Sequence, residues 1–306
     1  MSERIKGVMA AGLTAFNDDL SIDVQGTIAH TQWLLANGCD GVLIFGTTGE
    51  ANSLSLAERM AFLDALGASG LPKDRLMIGT GCCSVPDSVE LTSKTLEIGI
   101  ESALMLPPFY YKNPSDDGLY AHFARVLEKV ADPKLKLYLY HFPQMSAVPF
   151  SHELIGRFLA DFPGVFCGVK DSSGDFENMK AMAAKFPGFD VFAGTERYLL
   201  DTLKAGGVGT ITATGNCTSA MCGAVYAAWK AGAPDAERLQ EELTAQRLAL
   251  QNFPAAAALK ELLARESGRP SWRNVRAPFL PLAAERAEQL VADMKKVDFR
   301  LPAIAA

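Results

Sequence analysis

Eight short apolar runs, each followed by a longer stretch with helical periodicity, constrain this chain more than any other feature. They occupy residues 7–16, 41–46, 75–81, 103–107, 135–142, 165–171, 190–194 and 207–213. GVLIFG and LKLYLY are apolar almost without interruption. A strand with one face in water alternates polar and apolar residues. A continuous run suits a strand covered on both faces, as in a parallel sheet flanked by helices. The intervening stretches carry helix signals. Ser55-Leu56-Ala57-Glu58 is a capping box, and Leu56, Met60 and Leu63 then fall on one helical face. Val24, Ile28 and Leu35 form a second stripe, stopped by Gly38. Pro86 and Asp87 open a third helix, where proline lacks only an N–H that would be orphaned anyway.

Eight such units are the count of an α/β TIM barrel, (β/α)8, which the sequence predicts over residues 1–232. A doubly wound sheet also alternates strand and helix, but it more usually stops at about five to seven strands. No GxGxxG follows the first run. Residues 233–306 change character, becoming rich in Ala, Leu, Glu and Arg. Stretches 235–252, 254–266 and 283–297 read as helices, punctuated by Pro254, Pro270, Pro278 and Pro281. The expectation is a barrel domain with a C-terminal three-helix extension.

Bulk properties narrow the function. Hydrophobic residues make up 49% and charged residues 21% of the 306, which excludes a disordered or coiled-coil protein. Net charge is −6, so no basic face points to nucleic acid or anionic membrane. The N-terminus has no long apolar segment, and no run is long enough to span a bilayer. A cytoplasmic location is the expectation. Cys39, Cys82, Cys83, Cys167, Cys217 and Cys222 include no CxxC pair and are read as free, mostly buried thiols. His30, His122, His141 and His152 form no HExxH or HxH pair, so no metal site is expected.

In a barrel, chemistry sits at the C-terminal ends of the strands. Lys170 closes the sixth apolar run, GVFCGVK. An ammonium gives up hydration in such a place, and a neutral amine is a nucleophile whose natural product with a carbonyl is a Schiff base. The bland alternative is a lysine reaching solvent or pairing with Asp171. The second run ends in Gly46-Thr47-Thr48-Gly49, a turn of small residues suited to a carboxylate or phosphate through N–H and hydroxyl groups. It lacks the lysine and spacing of a nucleotide-triphosphate loop. Tyr140 ends the fifth run, one strand from Lys170, and a phenol is a workable proton shuttle.

Together these pieces resemble the dihydrodipicolinate synthase / N-acetylneuraminate lyase family of class I aldolases. The matching segments are GTTGE (residues 46–50), PPFYY with PSDDGLY (107–120), Tyr140 with Pro143, GVKDSSG (168–174) and GVGTITATGN (207–216). The resemblance spans residues 6–297. It implies that Lys170 forms the Schiff base with pyruvate or a related 2-oxo acid. Thr47 and Thr48 would bind its carboxylate, with Gly46 in the same turn, and Thr47 would join a proton relay. Tyr140 would be the general acid/base, and the Ile211 carbonyl would face the substrate. A tyrosine after the fourth strand would complete the relay, in some members from a neighbouring subunit. Counted from Pro107-Pro108 it is Tyr110; counted back from Pro114-Ser115 it is Tyr111. The resemblance also implies a homotetramer without metal or organic cofactor.

One departure bears on substrate. In dihydrodipicolinate synthases an arginine follows the Tyr-x-x-Pro by two residues and binds the aldehyde substrate's carboxylate. Here that position is Met145, which offers no cation. This disfavours dihydrodipicolinate synthase itself and favours a lyase or aldolase of a 2-keto-3-deoxy sugar acid or similar compound. Alternatives are a dehydratase of such an acid, using the same imine, and a non-catalytic keto-acid-binding paralogue. His141 stands where many members have Asn, and one reading puts it on the far face of its strand.

Overall fold

The computed structural model describes residues 3–304. All eight expected runs contain a strand: β1 (Gly7–Ala11), β2 (Gly41–Ile44), β3 (Leu76–Gly79), β4 (Ser102–Met105), β5 (Lys136–His141), β6 (Phe166–Asp171), β7 (Asp190–Ala193) and β8 (Gly209–Thr212). They pair in parallel in chain order, and β8 closes on β1. This is a TIM barrel. Every strand residue is buried, which is why the apolar runs do not alternate.

The helices are α1 (Val24–Ala36), α2 (Leu56–Ala68), α3 (Val85–Glu97), α4 (Asp116–Val130), α5 (Pro143–Ser146), α6 (His152–Asp161), α7 (Phe176–Lys185), α8 (Leu199–Lys204) and α9 (Gly215–Lys230). Beyond them lie α10 (Ala236–Leu250), α11 (Ala255–Ser267) and α12 (Ala284–Lys296). The Ser55–Glu58 capping box is formed reciprocally at the start of α2. Pro86 sits in the first turn of α3, and Ser84 caps it.

Two expectations are refined. The first apolar run extends to Phe16, but β1 ends at Ala11. Leu13 and Ala15 instead join a cluster with Leu259, Leu263 and Trp272, so the run stays apolar because the C-terminal helices cover it. On α1, Val24, Ile28 and Leu35 pack half-buried against the core as the stripe predicts, and Thr27, His30, Thr31 and Leu34 beside them are fully buried. The polar inner face has a partner. His30 Nε2 lies 2.9 Å from Asn216 Oδ1 on α9, and Asn216 also bonds Leu13 N and Ala11 O. Burial drives His30 down to about 4, since a charged ring there would have no water.

The barrel interior is filled by Met9, Leu43, Met77, Leu104, Tyr138, Phe192 and Ile211. This plug closes the lower part of the barrel and leaves the C-terminal mouth as the open end. No helix among the described residues is long and apolar enough to cross a membrane. The six cysteines are unpaired; four are buried, Cys82 is half-buried and Cys83 is exposed.

Candidate active site

Register brings the lysine and the tyrosine together. Tyr140 on β5 pairs directly with Lys170 on β6, so their side chains leave adjacent strands on the same face. Both are inward and buried, Lys170 to 3% exposure. The Lys170 Nζ lies 4.2 Å from the centre of the Tyr140 ring. Asp171, one residue on, faces the other way and accepts from Ser173 N at 2.8 Å and Asn178 Nδ2 at 2.7 Å. The Lys170–Asp171 pair is therefore not made, and Lys170 has no ion pair among the described residues. Burial alone would raise the Tyr140 phenol. The Lys170 charge and hydrogen bonds with Thr47, Lys170 and Ser172 outweigh burial and hold it below its ordinary value of 10.

The turn after β2 is strained and braced. Phe45 (φ 61°) and Glu50 (φ 56°), on either side of it, both adopt the left-handed region. Gly49 is required by proximity: a Cβ there would sit 2.7 Å from the Gly12 carbonyl oxygen. The backbone N–H groups of Thr47 and Thr48 have no protein partner among the described residues, which leaves them to a ligand. Behind the turn, Glu50 is fully buried. It accepts from Lys260 Nζ at 2.6 Å and from Arg276 N at 2.8 Å, both in the C-terminal extension.

A cavity of about 490 Å³ opens over these groups. Thr47, Thr48, Tyr140 and Lys170 all line it, with Phe142 and Met145 beside them. Gly46 lies just outside, in a small adjoining pocket with Thr47 and Tyr140. Ile211 packs its side chain into the barrel interior below. Tyr110 and Tyr111 are not brought to this cavity. They stack edge to face on the β4–α4 connection, 73% and 78% exposed. His141 faces away from the cavity; its Nδ1 accepts from Phe150 N at 3.2 Å.

Ser172 and Thr195, at the ends of the sixth and seventh apolar runs, also line the cavity, and some lining residues were not foreseen from sequence: Arg247 and Gln251 at the end of α10, Arg197 after β7, and Phe279. Arg247 carries no motif, and only the crossing of α10 over the barrel mouth brings it there. Ser172 did have a signal, since it follows Lys170 by two residues. Among the described residues no group of three or more His, Cys, Asp and Glu side chains could hold a metal ion.

The model of the dihydrodipicolinate synthetase family matches residues 4–297. The chain belongs to this family. It is accordingly a class I lyase or aldolase, as the family's members are. Among curated relatives, an uncharacterized DapA-like lyase of Chloroflexus aurantiacus is 33% identical over 95% of this chain and 97% of that protein. Among solved structures, dihydrodipicolinate synthase from Agrobacterium tumefaciens str. C58 is 32% identical, with a TM-score of 0.86 over 95% of this chain and 99% of that one. YagE, a family member from E. coli K12 solved in complex with pyruvate, is 26% identical with a TM-score of 0.88, over 96% and 99%.

Proposed function

We propose that the protein is a Schiff-base lyase or aldolase of a 2-oxo acid, with a 2-keto-3-deoxy sugar acid or similar hydroxylated compound as substrate. The observation that carries this reading is the pairing of Lys170 with Tyr140, without an ion-pair partner, on the floor of a cavity walled by Thr47 and Thr48. With no carboxylate against it, the lysine nitrogen is open to a ketone carbon brought into the cavity.

The chemistry follows from the groups present. Lys170 first gives up its ammonium proton; the amine then attacks the ketone carbon, and loss of water from the carbinolamine gives an iminium. Tyr140, hydrogen-bonded with Thr47, gives a proton to the departing hydroxyl and takes one back in hydrolysis. The iminium draws electrons from the neighbouring carbon. When the C3–C4 bond breaks, its electron pair forms an enamine, the C4 hydroxyl loses its proton, and an aldehyde leaves. Protonation of the enamine and hydrolysis return pyruvate and free lysine. The free N–H groups and hydroxyls of Thr47 and Thr48 hold the carboxylate and convert affinity into orientation. The imine is the electron sink, so the proposed cycle calls on no metal or organic cofactor. A dehydratase would use the same iminium to lose a C3 proton, and the resulting enamine would then expel the protonated C4 hydroxyl as water instead.

Met145 lines the cavity without a charge, which favours a lyase over dihydrodipicolinate synthase. The proposal includes a homotetramer in the cytoplasm, with exposed Tyr110 or Tyr111 reaching a neighbouring copy's relay. Borohydride reduction with pyruvate is the direct test. The expected result is a mass increase on Lys170 that is lost in Lys170→Ala. An unmodified protein, or an adduct that survives the substitution, overturns the reading. Assaying pyruvate release and water loss separately over a panel of keto acids distinguishes aldolase from dehydratase and from a binding protein without turnover.

A further inference from the structure

The protein carries a net charge of −6, yet its cavity is lined by three cations, Lys170, Arg197 and Arg247, and by no Asp or Glu among the described residues. One cation is accounted for by the imine chemistry. The two arginines come from outside the family-like motifs, one from the loop after β7 and one from α10.

Arg247 is held by one edge only. Its Nε donates to Thr195 Oγ1 at 3.3 Å and lies 3.8 Å from Glu196 Oε2. Glu196 is fully buried and does not depend on it, because the hydroxyls of Thr212, Thr214 and Thr218 already donate to that carboxylate. An arginine serving only to neutralise Glu196 would close on it at hydrogen-bond distance. Instead both terminal Nη groups of Arg247 are without a protein partner among the described residues, on a side chain that lines the cavity. A guanidinium anchored through Nε presents the fork that matches a carboxylate bidentately. Arg197 has no ion pair among the described residues either, and it lies over the Tyr198 ring at 5.5 Å.

We propose that Arg247, assisted by Arg197, forms a second anion subsite, so that the substrate is a 2-oxo acid with another carboxylate at the end remote from the ketone. The inference rests on the Schiff-base reading for the ketone end only. The charge missing at Met145 on α5 is thereby supplied from a different element, α10. Thr195 and Gln251 also line the cavity and suit the hydroxyls of a polyhydroxylated chain.

The subsite is testable without turnover. Calorimetric titration of the intact protein with glucarate and with gluconate compares two six-carbon hydroxy acids that differ in having a second carboxylate. The expected result is tighter binding of glucarate by about tenfold to a hundredfold, the range of a charge-assisted hydrogen-bonded pair. That preference should collapse in Arg247→Met, recover in part in Arg247→Lys, and shrink in the exposed-site variant Arg197→Met. Equal binding of the two acids by the unaltered protein, or a preference untouched in both methionine variants, overturns the proposal. Trapping of pyruvate on Lys170 in the unaltered protein reports separately on the Schiff-base reading. A normal adduct with no diacid preference removes only the subsite, and a diacid preference with no adduct removes only the imine.

Discussion

Tyr140 shows how a single side chain is tuned by what surrounds it. Burial raises a phenol, and a cation 4.2 Å from its ring lowers it; the cation and the hydrogen bonds prevail. Removing the cation should therefore reverse the sign. In Lys170→Met, ultraviolet titration is expected to move Tyr140 above the ordinary phenol value, with Tyr140→Phe as the blank that identifies its signal. Tyr140→Phe itself preserves the ring's packing and removes only the hydroxyl, with its hydrogen bonds. Its kcat should fall by about 10²-fold or more, the usual weight of a positioned acid/base. A fall of less than a few-fold would mean that another group moves the proton. At this scale the sequence was informative. Lys170, Tyr140, Thr47 and Thr48 stood at strand ends beside small or special residues, and register then put them in one cavity. Arg247 was not legible, because a helix interior gives no sign of what lies beneath it until the helix is placed. The resemblance led to the expectation of Tyr110 or Tyr111 in the relay, but the structure leaves both in solvent.

Elements are joined through buried polar contacts as well as apolar ones. The His30–Asn216 contact ties α1 to α9 and to the segment after β1. Its cost appears in acid. His30 titrates at about 4 when folded and near 6.5 when unfolded, so the unfolded chain takes up the proton first. Stability from this residue is complete above pH 6.5 and is lost as pH falls through about 4. The loss is on the order of 3 kcal/mol across that interval. Urea unfolding followed from pH 7 to 4 should show this decline, and His30→Gln should flatten it. An unchanged slope in the variant would assign the decline to other groups. Strand positions were readable because burial on both faces leaves continuous apolar runs, but their ends were not. Apolar residues continue past β1 where α11 covers them, so composition alone could not mark where pairing stops. The inner face of α1 was legible only in part: Val24, Ile28 and Leu35 do pack against the core, but His30 meets an asparagine, which no apolar stripe announces.

For the whole molecule, the barrel and the C-terminal helices share one working part. Lys260 on α11 and Glu50 beside the Thr47/Thr48 turn are both fully buried and 2.6 Å apart, and Lys260 also donates to Asn274 O at 2.8 Å. Breaking such a pair from one side leaves a buried charge. Lys260→Met should cost about 3–5 kcal/mol in denaturant unfolding, and the added change Glu50→Gln should return part of it. Simple additivity of the two substitutions would show that the pair is not coupled. We propose on this ground that residues 233–306 do not fold apart from residues 1–232, although the change in composition divides the chain there.

The brace between Glu50 and Lys260 also sets an order in time. A ribosome completes the Thr47/Thr48 turn well before Lys170, and the residues that hold the turn from behind, Lys260 and Arg276, emerge only after the eighth strand. A nascent chain can carry the reactive amine while the seat for the substrate's carboxylate is still unsupported. Competence therefore waits for the helices beyond the barrel, and a chain stalled after the eighth strand holds the nucleophile without the means to aim a substrate at it.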